Sequence, residues 1–143
     1  MSTATAAPEK ATAPPAPLGS LVPYLMVRDA AAASEFYQKA FGATEVTRMP
    51  APDDAAKLIH VHLYINGHSL MLNDPMPEHG YPLQDHQGYT LTLLVDDIDA
   101  RFQRALDAGA TATMPVQQMF WGDRYGALID PFGVRWAMNQ AAG

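Results

Sequence analysis

The amino-acid sequence predicts an α+β protein built from two βαβββ modules, and three observations carry that prediction. Apolar runs with the two-residue period of strands alternate with stretches of helical period. Turn-forming pairs punctuate them. The same short words also return in the same order: Leu25-Met26-Val27-Arg28-Asp29 reads like Leu93-Leu94-Val95-Asp96-Asp97 at an offset of 68, Gly42-Ala43-Thr44 like Gly109-Ala110-Thr111 at 67, and Met49-Pro50 like Met114-Pro115 at 65. A slowly drifting offset is what two copies with small insertions and deletions produce.

Residues 1–20 are dominated by Ala, Pro, Thr and Ser, with prolines at 8, 14, 15 and 17. They cannot bury enough surface to offset their ordering entropy, so a disordered tail is expected there. A single domain follows over 21–140, with module one at about 21–75, a linker at 76–87 and module two at about 88–140. Module one opens with the apolar run Leu21 to Val27. Asp29 is placed to cap the helix from Ala30 to Phe41, and Gly42 to stop it. Phe36, Tyr37, Ala40 and Phe41 share one helical face and are expected in the core. Strand signals follow at Leu58 to Ile65 and His68 to Leu72, joined by Asn66-Gly67, a pair that favours a tight hairpin. Module two repeats this grammar. Tyr89 to Val95 is its opening strand, Asp96 or Asp97 its cap, and Ile98, Phe102, Ala105 and Leu106 its buried helix face before Gly109. The strands Arg124 to Ile129 and Val134 to Met138 then flank the turn Asp130-Pro131-Phe132-Gly133. At roughly 55 residues each, the modules are too small to be stable alone, so their sheets are expected to share a core or close over a cavity.

Composition removes several function classes. Nine Lys and Arg stand against fifteen Asp and Glu, giving a net charge of −6 without a basic cluster, which argues against nucleic acid and against an anionic membrane surface. No apolar stretch approaches the roughly 18 residues of a membrane span. The N-terminal segment has neither the basic start and apolar run of a secretory signal nor the arginines of a transit peptide, so a cytoplasmic protein is expected. The chain has no cysteine, so any metal must be held by His or carboxylate ligands. Phosphate-binding loops and Gly-X-Ser-X-Gly elbows are absent. The pairs Asp53-Asp54 and Asp96-Asp97 are explained by solvation and helix capping.

Pro23-Tyr24-Leu25, the helix from Phe36-Tyr37 to Phe41-Gly42-Ala43, Phe120-Trp121-Gly122-Asp123-Arg124-Tyr125-Gly126 and Asp130-Pro131-Phe132-Gly133 together resemble the glyoxalase/bleomycin-resistance/dioxygenase superfamily, the vicinal oxygen chelate (VOC) proteins. Within it the nearest likeness is to the PhnB-like branch. The resemblance covers about 120 residues, everything but the tail. It implies two βαβββ modules forming a cupped mixed sheet around a pocket, and a homodimer. It does not fix an activity, because this scaffold hosts isomerases, lyases, dioxygenases, transferases and antibiotic-sequestering binders. Metal-dependent members take ligands at positions that correspond here to Val22, His62, Thr90 and Ala137, of which only His62 can ligate. This chain also has His60-Val61-His62-Leu63 where the branch commonly shows His-Ala-Glu-Leu, and Val134 where a His commonly follows Asp-Pro-Phe-Gly. The expectation is therefore a small-molecule-binding protein without a metal or other cofactor. The alternative is a divalent metal ion on His60 and His62 in a lyase, isomerase or dioxygenase.

Alternation along Leu58 to Ile65 puts His60, His62 and Tyr64 on one strand face, opposite Ile59, Val61, Leu63 and Ile65. The two imidazoles are either hydrogen-bonded cavity or surface histidines, or the seed of a metal site. The same alternation adds Tyr24, Thr92 and Arg135 as candidate ligand contacts, each with a bland alternative as a core or surface residue. Phe120 and Trp121 suit a loop closing over a planar ligand, with Arg124 as a fork for a carboxylate or phosphate. The alternative there is loop packing by Trp121 and a surface pair between Asp123 and Arg124. His79 and His86, in the linker, are expected to be solvent-exposed.

Overall fold

A computed structural model describes residues 15–143; the expected tail over residues 1–14 lies outside the described residues. The chain runs β1 (Tyr24–Met26), α1 (Ala30–Phe41), β2 (Thr44–Ala51), β3 (Asp54–Ile65), β4 (His68–Asn73), a single 3-10 turn (Pro77–His79), β5 (Leu91–Leu94), α2 (Ile98–Ala108), β6 (Thr111–Gln118), β7 (Arg124–Ile129) and β8 (Arg135–Gln140). The strands form two four-stranded mixed sheets, ordered β1-β4-β3-β2 and β5-β8-β7-β6. In each, the opening strand lies parallel to the last strand of its module, and the other pairings are antiparallel.

The duplication is visible in individual hydrogen bonds. Val27 N donates to Asn73 O at 3.0 Å, and Val95 N to Asn139 O at 2.9 Å. The side chain of Asp29 accepts from Ala32 N at 3.1 Å and that of Asp97 from Ala100 N at 3.4 Å, so both expected caps form. After Gly42 and Gly109, the Ala43 and Ala110 amides reach back to Tyr37 O at 3.2 Å and Ala105 O at 3.0 Å, bonds that close each helix C-terminus. Asn66 and Gly67 both have positive φ, 53° and 77°, as a two-residue hairpin between right-twisted strands requires.

Four elements differ from the sequence expectation. The edge strands β2 and β6 carry Pro50 and Pro115 and have irregular register against β3 and β7, so neither shows clean alternation. Proline is tolerated there because an edge strand has one unpaired side. β1 is only three residues long, leaving Leu21 83% exposed. Ile59, expected inside, is 39% exposed while Leu58 is buried, because the register shift opposite Met49 and Pro50 slips the phase of β3.

The two helices pack against each other. Leu25, Leu63 and Leu72 from the first sheet and Leu93, Leu128 and Trp136 from the second belong to one core with them. Phe41 and Trp136 have ring centroids 4.6 Å apart, across the module boundary. Arg28 lies over the Phe132 ring at 4.9 Å and donates to Pro131 O. Each sheet thus turns one face to the helices and shared core. The opposite faces, here called outer, carry Tyr24, His60, His62, Tyr64, Thr92 and Arg135.

Candidate functional site

The outer face of module one is laid out by strand register. Tyr24 on β1 pairs with Met71 on β4, which pairs with His62 on β3, and His62 pairs with Thr47 on β2. Tyr64 and Ser69 lie opposite each other in a neighbouring row, and His60 lies opposite Met49 in the other. The intervening residues, Leu25, Val61, Leu63, Leu70 and Leu72, are buried in the core, so alternation alone sends the polar set outward.

These polar groups are bonded to one another. Tyr24 Oη and His60 Nδ1 are 2.8 Å apart, with ring centroids at 5.6 Å. His62 Nε2 meets Ser69 Oγ at 2.7 Å, and the Tyr64 ring stands edge-on to His62 at 5.2 Å. Ser69 Oγ also accepts from Leu18 N at 2.7 Å, Ser69 N donates to Leu18 O at 3.0 Å, and Tyr64 Oη donates to Ala16 O at 2.7 Å. The end of the expected tail therefore straps one margin of this face instead of standing clear of the domain. At Gly19, φ is +90° and a Cβ would come within 2.1 Å of the His68 ring, so a side chain there would displace the strap or the ring.

His62 is 3% exposed. Its pKa is lowered, first by burial and then by neighbouring His60, so the neutral imidazole is the favoured form. The linked effect on stability has a definite sign. A histidine that binds its proton less readily when folded destabilises the native state as pH falls through its unfolded pKa of about 6.5, whereas above that value the penalty is absent. Urea titrations at several pH values should therefore show wild type losing stability on acidification more steeply than His62→Gln, by no more than about 1.4 kcal/mol per pH unit for one proton. Parallel lines for the two proteins would contradict this assignment.

Of the nine ligand contacts expected from the sequence, Tyr24, His60, His62 and Tyr64 come together here. The other five belong to module two. By the β5–β8 register, Thr92 lies opposite Ala137, and Arg135 falls on the same outer face. Phe120 and Trp121 are 96% and 51% exposed, their rings perpendicular at 4.7 Å, on a turn closed by Met119 N donating to Asp123 O. The expected Asp123–Arg124 pair does not form. Arg124 turns toward α2 and meets Asp99 at 2.5 Å, while Asp123 accepts from Asn139 Nδ2 and Ala142 N. Asp99 engages one arm, Nη1, of the Arg124 fork. In the linker, His79 is exposed as expected, but His86 is held between Tyr89 Oη at 2.6 Å and Met26 O at 2.7 Å. Sequence reasoning missed Ser69 and the strap. Alternation along β4 signals the first, whereas the strap depends on contacts between distant parts of the chain.

The metal alternative can be tested against this geometry. Val22 precedes β1 and Thr90 precedes β5. Register makes Met71, not His62, the counterpart of Ala137, since these two pair with Tyr24 and Thr92 respectively. Among the described residues no group of three His, Asp or Glu side chains is placed to hold an ion. His60 and His62, with ring centroids 6.4 Å apart, each have one nitrogen engaged by a hydroxyl. The described residues of one chain therefore do not fit the three protein ligands of a typical catalytic zinc site.

Two βαβββ modules, each a helix with a four-stranded mixed sheet, match the fold of the VOC proteins. The chain belongs to the Glyoxalase/Bleomycin resistance protein/Dioxygenase superfamily, which it matches over residues 18–138. Uncharacterized protein Rv0887c of Mycobacterium tuberculosis is 46% identical over 133 residues, covering 85% of this chain and 74% of that one. Protein PA1353 from Pseudomonas aeruginosa superposes with a TM-score of 0.72 at 27% identity, over 87% of this chain and 99% of that one. The PhnB protein from Bacillus cereus shares the fold, with a TM-score of 0.64 at 21% identity, over 86% of this chain and all of that one. Among the described residues no helix is long and apolar enough to cross a membrane.

Proposed function

We propose that the protein binds a small aromatic or amphiphilic molecule on the outer face of module one, without a metal, and acts by holding it. The observation that carries this reading is the bonded set Tyr24–His60 and His62–Ser69 beside Tyr64, on a face outside the shared core. Aromatic rings and a neutral imidazole offer stacking surface and hydrogen bonds without demanding a charged partner. Met26, Met49 and Met71 lie among them on pairing positions of β1, β2 and β4 and add polarisable, adaptable contacts. A homodimer fits the same picture, because a second copy could cover exposed apolar residues such as Leu94, 70% exposed, and Phe120.

Thermal-shift measurements with planar aromatic compounds, on protein whose metal content has been measured, test the proposal. Compounds that raise the melting temperature of wild type should bind about tenfold more weakly to the Tyr24→Phe/His60→Ala double variant, a loss of about 1.4 kcal/mol. Light scattering reports the oligomeric state in the same samples. A second reading, a metal-dependent lyase, isomerase or dioxygenase, draws on the His-X-His pair. Stoichiometric zinc, nickel, manganese or iron that is lost in His62→Ala would establish that reading and overturn the metal-free one.

A further inference from the structure

Exposure is unequal along the outer face of module one. Tyr24 and Met49, toward the His60 end, are 49% and 45% exposed, whereas His62 and Ser69 are 3% and 1% exposed although alternation points them out of the same face. The closed end is the one that residues 15–18 cross, bonded through Ala16 O to Tyr64 and through Leu18 O and N to Ser69. Leu18 N–H donates to Ser69 Oγ, and assigning the Ser69 hydroxyl hydrogen to His62 Nε2 leaves each of these groups paired. A line of bonds thus runs from the strap to the imidazole.

The strap is fastened in a way that lets it leave. Residues 15 and 18 are half-buried and 16, 17, 19 and 20 are exposed, so a few hydrogen bonds hold it and no side chain is sunk in the core. Pro23 O accepts from Met71 N at 3.0 Å, which marks where the chain joins the sheet. Between Leu18 and Pro23 more chain is present than the strand alongside spans, and the surplus bends outward at residues 19–21, with Gly19 at φ +90° and Leu21 83% exposed. These bends can act as a hinge while β1 stays paired.

We propose that residues 15–18 are a lid in cis, which closes the His62 end of the face and swings away on the bends at 19–21 to admit a ligand. The proposal rests on reading this face as the binding surface, and adds that it has a shut and an open state. Apparent ligand affinity is then lowered by the fraction of molecules that are shut.

Two substitutions in the strap test this without removing any residue of the face. Leu18→Pro deletes the N–H that bonds Ser69 Oγ, and Gly19→Val places a branched side chain at a positive φ, where Cβ would lie 2.1 Å from the His68 ring. Diethyl pyrocarbonate acylates neutral imidazoles, and peptide mass spectrometry reads the rate at each histidine, with exposed His79 as internal reference. In wild type His62 should react about tenfold more slowly than His79 or slower still. Leu18→Pro/Gly19→Val should raise the His62 rate about tenfold, with the His79 rate and the circular dichroism spectrum unchanged. Leu18→Pro alone, which adds no bulk, should shift the rate in the same direction and decides the matter if the double variant does not fold. The lid is overturned if His62 reacts as fast as His79 in wild type, or if freeing the strap leaves its rate unchanged. Planar aromatic compounds that stabilise wild type should bind the double variant more tightly by about the same factor. Faster labelling with unchanged compound affinity would also overturn the lid, since the strap would not then stand between ligand and His62. Compounds that bind neither protein would overturn the reading of the face, while the labelling rates still decide whether the strap closes His62.

Discussion

Asp130→Ala is expected to cost about 3–5 kcal/mol of stability, because it removes the acceptor of four donors at a site closed to water. Asp130 is 4% exposed. Its Oδ1 accepts from Phe132 N at 2.8 Å and Val134 N at 3.0 Å, and its Oδ2 from Tyr37 Oη at 2.5 Å and Trp136 Nε1 at 2.9 Å. Two of these bonds shape the turn between β7 and β8, and the third holds Trp136, on β8, in place. The fourth ties α1 of module one to module two. Burial, and then the Asp130 carboxylate, push the Tyr37 phenol well above its ordinary pKa, so it remains a donor throughout the accessible pH range. Asp130→Asn should recover no more than part of the loss, since either orientation of the amide points its NH₂ at two donors. Tyr37→Phe removes only one bond to a charged group and should cost about 1.5–3 kcal/mol. Urea denaturation of the three variants checks this order. A loss below about 1 kcal/mol for Asp130→Ala would mean that the buried donors find water instead.

Asp130 also shows how far the sequence could be read. Asp130-Pro131-Phe132-Gly133 is recognisable as a turn, and Tyr37 as a core residue, because both properties are local. Their bond spans 93 positions and has no local signature. The same division runs through the candidate site. His60, His62 and Tyr64 were legible as one face because a strand forces side chains to alternate. Their partners Ser69 and Tyr24 are set by strand register, and the Ala16–Leu18 strap by the path of a proline-rich segment with no periodicity. Arg124 shows the same limit from the other side. The adjacent charges Asp123 and Arg124 suggested a surface pair, but the guanidinium meets Asp99 on α2, and one position along a strand decides which face a side chain takes. The helices, caps and hairpin were legible in full, whereas β2 and β6 were hidden by Pro50, Pro115 and their bulges.

Asp74→Ala is expected to cost about 2–4 kcal/mol, more than the matching substitution in module two, for a reason the duplication makes clear. Asp74 follows β4 and is 7% exposed. Oδ1 accepts from Ala30 N at the start of α1 and Oδ2 from Leu58 N on β3, each at 2.8 Å, so one carboxylate joins the helix N-terminus to the sheet. Negative charge is favoured there by the helix dipole as well as by the orphan amide. In module two the corresponding bond runs from Ile98 N to Gln140 Oε1 at 2.9 Å, through a neutral, partly exposed amide. Gln140→Ala should therefore cost only about 1 kcal/mol. Because Phe41 packs against Trp136 and the helices share one core, the loss in Asp74→Ala should fall on both modules at once, giving one cooperative transition at lower denaturant. Hydrogen exchange would then show amides of β7 and β8 losing protection alongside those of β3 and β4. Two separated transitions, with module two unaffected, would show that the duplicated halves fold independently despite the core they share.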